Sequence, residues 1–140
     1  MKRILSLTLI ALMLVMSLFV VACVDKNGGG TGEMLYTEDT SLGEGNTTFT
    51  LIVEHINEKR ITFTINTDKT ILSEALVEAG ILEGHDDIYG LYIDSVNGIA
   101  HDFNDEGIYW AIYEGDSYAT TGIDGITITN GATYKLVASK

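Results

Sequence analysis

The chain has 140 residues, with 8 Lys and Arg against 20 Asp and Glu, a formal net charge of −12 and a 46% hydrophobic content. So acidic a chain excludes nucleic acid and anionic membrane as partners, because phosphate contacts need a basic surface. The single cysteine, Cys23, excludes both an intramolecular disulfide framework and a Cys-based metal site.

At the N-terminus Lys2 and Arg3 precede an almost wholly apolar run from Ile4 to Ala22, and Cys23 follows. A basic start, an apolar stretch and a small residue at its end have the make-up of an export signal. Val20-Val21-Ala22-Cys23 resembles the bacterial lipobox, with Val in place of the usual Leu. Residues 1–22 are therefore expected to be a lipoprotein signal peptide, and Cys23 the lipid-carrying first residue of a mature chain held on the extracellular face of a Gram-positive cell membrane. The competing reading is a membrane-spanning helix, since the run approaches the roughly 20 apolar residues that cross a bilayer. Processing would leave 140 − 22 = 118 residues, enough for one domain, and would deepen the charge to 6 − 20 = −14 because Lys2 and Arg3 both lie in the signal.

Residues 23–47 carry Lys26-Asn27-Gly28-Gly29-Gly30-Thr31-Gly32 and then Glu38, Asp39 and Glu44. So few apolar residues predict a flexible Gly-rich and acidic tether behind the lipidated cysteine. The glycine run lacks the Gly-Lys-Ser/Thr ending and the preceding strand of a phosphate loop.

The folded domain is expected over residues 48–140. Phe49, Leu51 and Val53 alternate with Thr50, Ile52 and Glu54, Asn57-Glu58 breaks the run, and Ile61, Phe63 and Ile65 alternate with Thr, which predicts a β-hairpin. The period then changes: Ile71, Leu72, Ala75, Leu76 and Ala79 form one stripe of a helix, with Asp68 or Thr70 to cap it and Gly80 to end it. A His85-Asp86-Asp87 loop leads to a strand through Leu91-Tyr92-Ile93 and Val96, turned at Asn97-Gly98. Further strands follow over Tyr109 to Tyr113, Ser117 to Ala119 and Thr133 to Val137, with a short Ile126-Thr127-Ile128 segment before the last. This order predicts an α+β fold of β-grasp-like type: an N-terminal hairpin and one amphipathic helix packed on a mainly antiparallel sheet.

Tyr89, Tyr92, Tyr109, Trp110, Tyr113 and Tyr118 lie within thirty positions and offer flat contact area for a planar ligand or a sugar face. Trp110 is read as core, and Tyr92 and Tyr118 as residues of an exposed binding edge. His55, His85 and His101 have no close ligand spacing and are read as solvated; no metal is expected. Asp102-Phe103-Asn104-Asp105-Glu106-Gly107 begins like a calcium loop, but Tyr113 stands where the bidentate Glu would be, so it is read as an acidic turn. Asp86-Asp87 and Asp105-Glu106 do not set two carboxylates across a sugar, and no nucleophile, base and orienting acid occur together. The chain is not expected to be an enzyme, and no cofactor is required.

Five segments in order carry a resemblance: Thr70-Ile71-Leu72-Ser73-Glu74-Ala75-Leu76, Gly90-Leu91-Tyr92-Ile93-Asp94-Ser95-Val96-Asn97-Gly98, Tyr109-Trp110-Ala111-Ile112-Tyr113, Gly122-Ile123 and Asn130-Gly131-Ala132-Thr133-Tyr134. Over residues 49–138 the chain resembles the small bacterial DUF4430-like family, related to the C-terminal domain of transcobalamin and intrinsic factor. In those vitamin carriers the domain closes over one face of cobalamin while a helical domain holds the rest; these 140 residues contain no counterpart of the helical domain. The resemblance implies a small-molecule ligand of corrinoid (cobalamin) type and a ligand-facing set of Tyr92, Ile93, Ser95 and Asn97, with Tyr118, Thr120 and Thr121 before Gly122. Thr120 and Thr121 are more polar than their counterparts in the carriers. The function so implied is capture of a ligand by a lipid-anchored surface protein for delivery to a membrane importer. The alternative is a surface module that docks protein or glycan through an exposed strand edge without binding a small molecule.

Overall fold

The computed structural model describes residues 30–57 and 59–140. The signal peptide, Cys23 and the first part of the tether lie outside the described residues, as does Glu58 of the predicted turn.

Two strands, β2 (Thr47–Glu54) and β3 (Ile61–Thr67), form the predicted hairpin, and their register shows why the alternation matters. Phe49 stands opposite Ile65, Leu51 opposite Phe63 and Val53 opposite Ile61, so all six project to one face and all six are buried. The last strand, β9 (Thr133–Ser139), lies parallel to β2 and adds Tyr134 and Leu136 to that face. Beyond it runs β7 (Tyr109–Glu114), antiparallel, with Trp110 opposite Ala138 and Ile112 opposite Leu136. Short strands close the sheet at both ends: β1 (Thr40–Leu42), parallel to β3, and β8 (Ser117–Tyr118), against β7. The six-stranded order is β1-β3-β2-β9-β7-β8.

Helix α1 (Leu72–Glu78) lays Leu72, Ala75 and Leu76 into the same core, as its stripe predicts. Each such fully buried aliphatic side chain contributes about 1.5–3 kcal/mol. The helix ends as expected, the amides of Gly80 and Ile81 donating back to the carbonyls of Val77 and Leu76 at 3.0 and 3.1 Å. Its start differs: neither Asp68 nor Thr70 caps it. The N-cap is Ile71, and the Leu72 amide donates instead to the Ile126 carbonyl at 3.0 Å, while Asp68 accepts from Asn46. The Ile126-Thr127-Ile128 segment is thus recruited as a backbone cap, bridging Ile71 at Thr127, and is not a strand of the sheet.

A second, three-stranded sheet stands beside the first: β4 (Leu82–Asp87), β5 (Gly90–Val96) and β6 (Ile99–Ala100). The predicted turn at Asn97-Gly98 joins β5 to β6, with Asn97 at φ 52°. The loop expected at His85-Asp86-Asp87 is instead the outer half of β4, paired in register with Tyr92, Leu91 and Gly90. Cross-strand pairing imposes the extended form there on side chains that have no apolar pattern of their own. Helix α2 (Phe103–Glu106) follows, capped by the Asp102 carboxylate on the Asn104 amide at 2.8 Å, so the segment read as an acidic turn is a one-turn helix.

The α+β architecture is therefore as expected, but its boundary is not. The tether predicted through residue 47 is, from residue 30 onward, part of the domain: Thr31 pairs with Ala100, Leu35 and Tyr36 bond to Asn97, and β1 extends the main sheet. Backbone pairing and three apolar contacts hold this strap, Tyr36 packing edge-on against Phe63 at 5.6 Å and Met34 and Leu42 lying against the core.

Candidate functional site

The β4–β5 hairpin projects its tip from the body. Ile88 and Tyr89, the connecting residues, are 85% and 89% exposed, and Tyr92 on β5 is 41% exposed. Water-exposed apolar side chains grouped at one tip mark a contact surface. A groove of about 470 Å³ separates this hairpin from α1. Ser73, Val77 and Glu78 form its helix wall, Asp86 and Leu91 its hairpin wall, and Asp124 its end. A smaller hollow of about 350 Å³ on another side of α1 is lined mainly by polar groups, among them Glu44, Asn66 and Asp68.

Asp124 fixes the hairpin relative to the body. It belongs to a 3-10 turn (Ile123–Gly125), and its carboxylate accepts the Leu91 amide at 3.2 Å. Gly90 makes this approach possible: its φ is +106°, and a Cβ there would lie 2.5 Å from the Asp124 carboxylate. Thr121 packs against Gly125 of the same turn. The two ligand-facing stretches implied by the resemblance, one on β5 and one before Gly122, thus meet at Asp124.

Within those stretches the individual residues divide. Tyr92 faces outward and lies 5.3 Å from His85, whose Nδ1 is 2.8 Å from both carboxylate oxygens of Asp94. That hydrogen bond, and then the charge of Asp94, raises the His85 pKa above its ordinary value. Thr120 and Thr121 are exposed. Ile93 is half-buried against the core.

Ser95 and Asn97 point inward. The Ser95 hydroxyl donates to Glu83 at 2.8 Å. Asn97 is 0% exposed, its Oδ1 accepting the Tyr36 amide at 2.9 Å and its Nδ2 donating to the Tyr36 carbonyl at 2.8 Å. Both are held by internal partners, and their role here is to bind the strap and the hairpin base. Tyr118 is 56% exposed but packs on Tyr113 at 5.3 Å, in a separate aromatic surface that also includes Tyr109 and Phe103. Burial, and then the hydrogen bond that the Tyr118 hydroxyl donates towards Tyr109, raises the Tyr118 pKa.

His55 and His101 are not solvated as expected; both are buried against Trp110 of β7. Trp110 is core, as read. Spacing could not reveal this, because the two histidines are 46 positions apart and meet only through the sheet. Asp124 was also missed, although an Asp between two glycines, Gly122 and Gly125, is a pattern for a carboxylate at a close backbone approach. Among the described residues no three His, Cys, Asp or Glu side chains converge as a metal-ligand set, and no helix is long and apolar enough to cross a membrane.

No family model matches the chain, and no curated protein matches it. Solved structures do. A candidate metal-binding protein from Ruminococcus gnavus is 24% identical, with a TM-score of 0.64 over 68% of this chain and 98% of its own. Haptocorrin, in complex with Cbi, is 22% identical, with a TM-score of 0.50 over 67% of this chain; the match spans only 25% of the haptocorrin chain. The domain described here has a transcobalamin-like fold.

Proposed function

We propose that this chain is a DUF4430-like lipoprotein, anchored through Cys23 on the extracellular face of a Gram-positive membrane, that captures a small ligand of corrinoid type and passes it to a membrane importer without chemical change. The observation that carries this reading is the groove beside an exposed aromatic hairpin tip, on a fold shared with haptocorrin. Tyr89 and Tyr92 supply faces for a planar macrocycle, and Asp86, Asp124 and Glu78 supply acceptors for carboxamide arms at its rim. Ser95 and Asn97 support the site from within; Thr120 and Thr121 flank it.

The test is thermal unfolding of the full chain in detergent with cobalamin or cobinamide in excess. A ligand at about 100 times its Kd stabilises the native state by about 2.7 kcal/mol, a rise of several degrees for a domain this size. The rise is expected to grow with ligand concentration, to vanish in Tyr89→Ala and Tyr92→Ala, and to survive in Ser95→Ala, whose hydroxyl faces Glu83. Absence of a shift with either corrinoid overturns the capture reading.

One observation favours a second reading, a surface module for protein or glycan. Strand β7 pairs with β8 through Tyr113 and Glu114 alone, and Phe103, Tyr109 and Tyr118 are exposed along that side of the sheet. On this reading Tyr109→Ala and Tyr118→Ala abolish binding to isolated cell-wall material, while the hairpin variants do not.

A further inference from the structure

Four buried ring nitrogens without a hydrogen-bond partner gather at Trp110: Nδ1 and Nε2 of His55, Nε2 of His101 and Nε1 of Trp110 itself. His55 stands edge-on to the indole at 5.3 Å, and His101 lies tilted against it at 5.2 Å. Buried polar groups are almost always satisfied, so this cluster is a weak point: among the described residues no other buried side-chain nitrogen or oxygen lacks a partner. On the sheet side it is closed by the pairing of β7 with β9. On the other side it is closed by the start of the strap. The Gly30 amide donates to Glu106 Oε1 at 2.6 Å, and Glu106 Oε2 lies 3.1 Å from His101 Nδ1. A Cβ on Gly30 would stand 2.8 Å from His101 Cε1, and Thr31 exchanges both backbone hydrogen bonds with Ala100 at 2.9 Å.

We infer that His55, Trp110, His101 and Glu106 form an acid-operated latch on residues 30–34, in which proton uptake by His55 breaks the Glu106 clamp and frees that end of the strap while Asn97 keeps hold of Leu35 and Tyr36.

The chemistry is competition for one carboxylate. Glu106 accepts from Gly30, from Asp102 and from His101. Burial acts to raise its pKa, but these three donors outweigh burial and hold it below the ordinary value, so it keeps its charge to lower pH than a free glutamate. His55 has no such partner. Burial, and then the neighbouring His101, lower its pKa from 6.5 to about 4. The titratable groups facing the cluster are His101, from the β6–α2 connection, and Glu106, from α2; β7 contributes Trp110 and the strap the Gly30 amide. An imidazolium at His55 has no partner in the closed cluster and lies in the field of His101; the carboxylate at hand to match it is Glu106, bonded to His101, and drawing it inward takes it from Gly30.

The sign follows from linkage. The closed form binds this proton with a pKa of about 4 and an open form binds it near 6.5. Closure is fully favoured above about pH 6.5 and is weakened as pH falls from there through 4, by up to about 300-fold. For an anchored chain the consequence is reach, and this part rests on the lipid-anchor reading. Opening adds residues 30–34, five residues, to the chain between Cys23 and the domain.

Trp110 is the sole tryptophan, so its fluorescence reports the state of the two histidines. The experiment is a fluorescence titration of the full chain in detergent from pH 8 to 4, joined to amide hydrogen exchange at pH 7 and 4.5 corrected for intrinsic rates. Neither needs ligand, so their outcome is independent of the capture reading, and a chain that is never lipidated answers equally. The latch predicts a fluorescence transition between pH 6.5 and 4, with the Thr31 and Ala100 amides losing protection at least tenfold more than those of Tyr36 and Leu51. His55→Phe abolishes both effects, and His55→Gln, also uncharged, serves if the Phe variant does not fold. Loss of Thr31 and Leu51 protection together, unchanged Thr31 protection, or a transition that survives in the His55 variants overturns the inference.

Discussion

The Asn97 side chain closes a two-point hydrogen bond on the Tyr36 backbone, while its own amide donates to Ile81 at 2.7 Å and its carbonyl accepts from Leu35 at 3.0 Å. It does this at φ 52°, a conformation that Asn tolerates better than most residues. Asn97→Ala leaves both Tyr36 groups unpaired and strains the turn, so a loss of about 2–4 kcal/mol is expected by urea unfolding. A loss under about 1 kcal/mol would mean the strap is held elsewhere. His85 makes a second residue-scale prediction. Its raised pKa means that the Asp94 pair contributes stability fully below about pH 6.5 and loses it as pH rises through the folded value. Asp94→Asn should return the His85 titration, followed by NMR, toward 6.5; no change would remove Asp94 as the cause. Such residues show where sequence reading reaches its limit. A turn dipeptide announces positive φ, but alternation cannot say that Ser95 and Asn97 direct their polar groups to Glu83 and Tyr36, nor that His55 and His101 share one indole.

At the scale of elements, the strands and helix whose apolar spacing is strong were legible: β2, β3, α1, β7 and β9 all follow from their patterns because one face of each must be buried. Strand β4 was not, because five of its six residues are exposed and its extended form comes from its partner. The candidate site depends on that strand. Its hairpin is tied to the body by Asp124, and the tie needs Gly90. Gly90→Ala forces a Cβ into the carboxylate and a non-glycine residue to φ +106°. It should abolish the ligand-dependent rise in Tm while lowering the ligand-free Tm by only a few degrees, since the hairpin tip lies outside the core. Asp124→Ala in the same chain removes the clash but not the backbone strain, so the double variant should remain unable to bind. Recovery of binding would show that the carboxylate contact, and not the hairpin's backbone path, is what the glycine protects.

For the whole molecule, the strap decides where the domain begins. Residues 30–47 have the composition of a spacer, and composition alone cannot reveal backbone pairing. Yet they complete one edge of the six-stranded sheet through β1, cover Phe63 with Tyr36 and satisfy the buried amide of Asn97. Removing residues 1–29 keeps the strap from Gly30 onward with its contacts to Glu106, Ala100 and Asn97, and the Tm should stay within a few degrees of the full chain. Removing residues 1–47 exposes the β3 edge, uncovers Phe63 and leaves the Asn97 side chain buried without partners. An unpaired buried amide costs about 1–3 kcal/mol, and uncovering an aromatic side chain costs a similar amount. Against a total stability of about 5–15 kcal/mol, these losses should lower Tm by more than 10 °C or prevent folding. Equal Tm values for the two truncations would make the strap a passive passenger. A large difference would make it a structural strand that also holds Gly30 and Thr31 at Glu106 and Ala100. That contact places the strap's attachment at the base of β5. The hairpin tip lies at the other end of that strand, about 20 Å away for its seven residues.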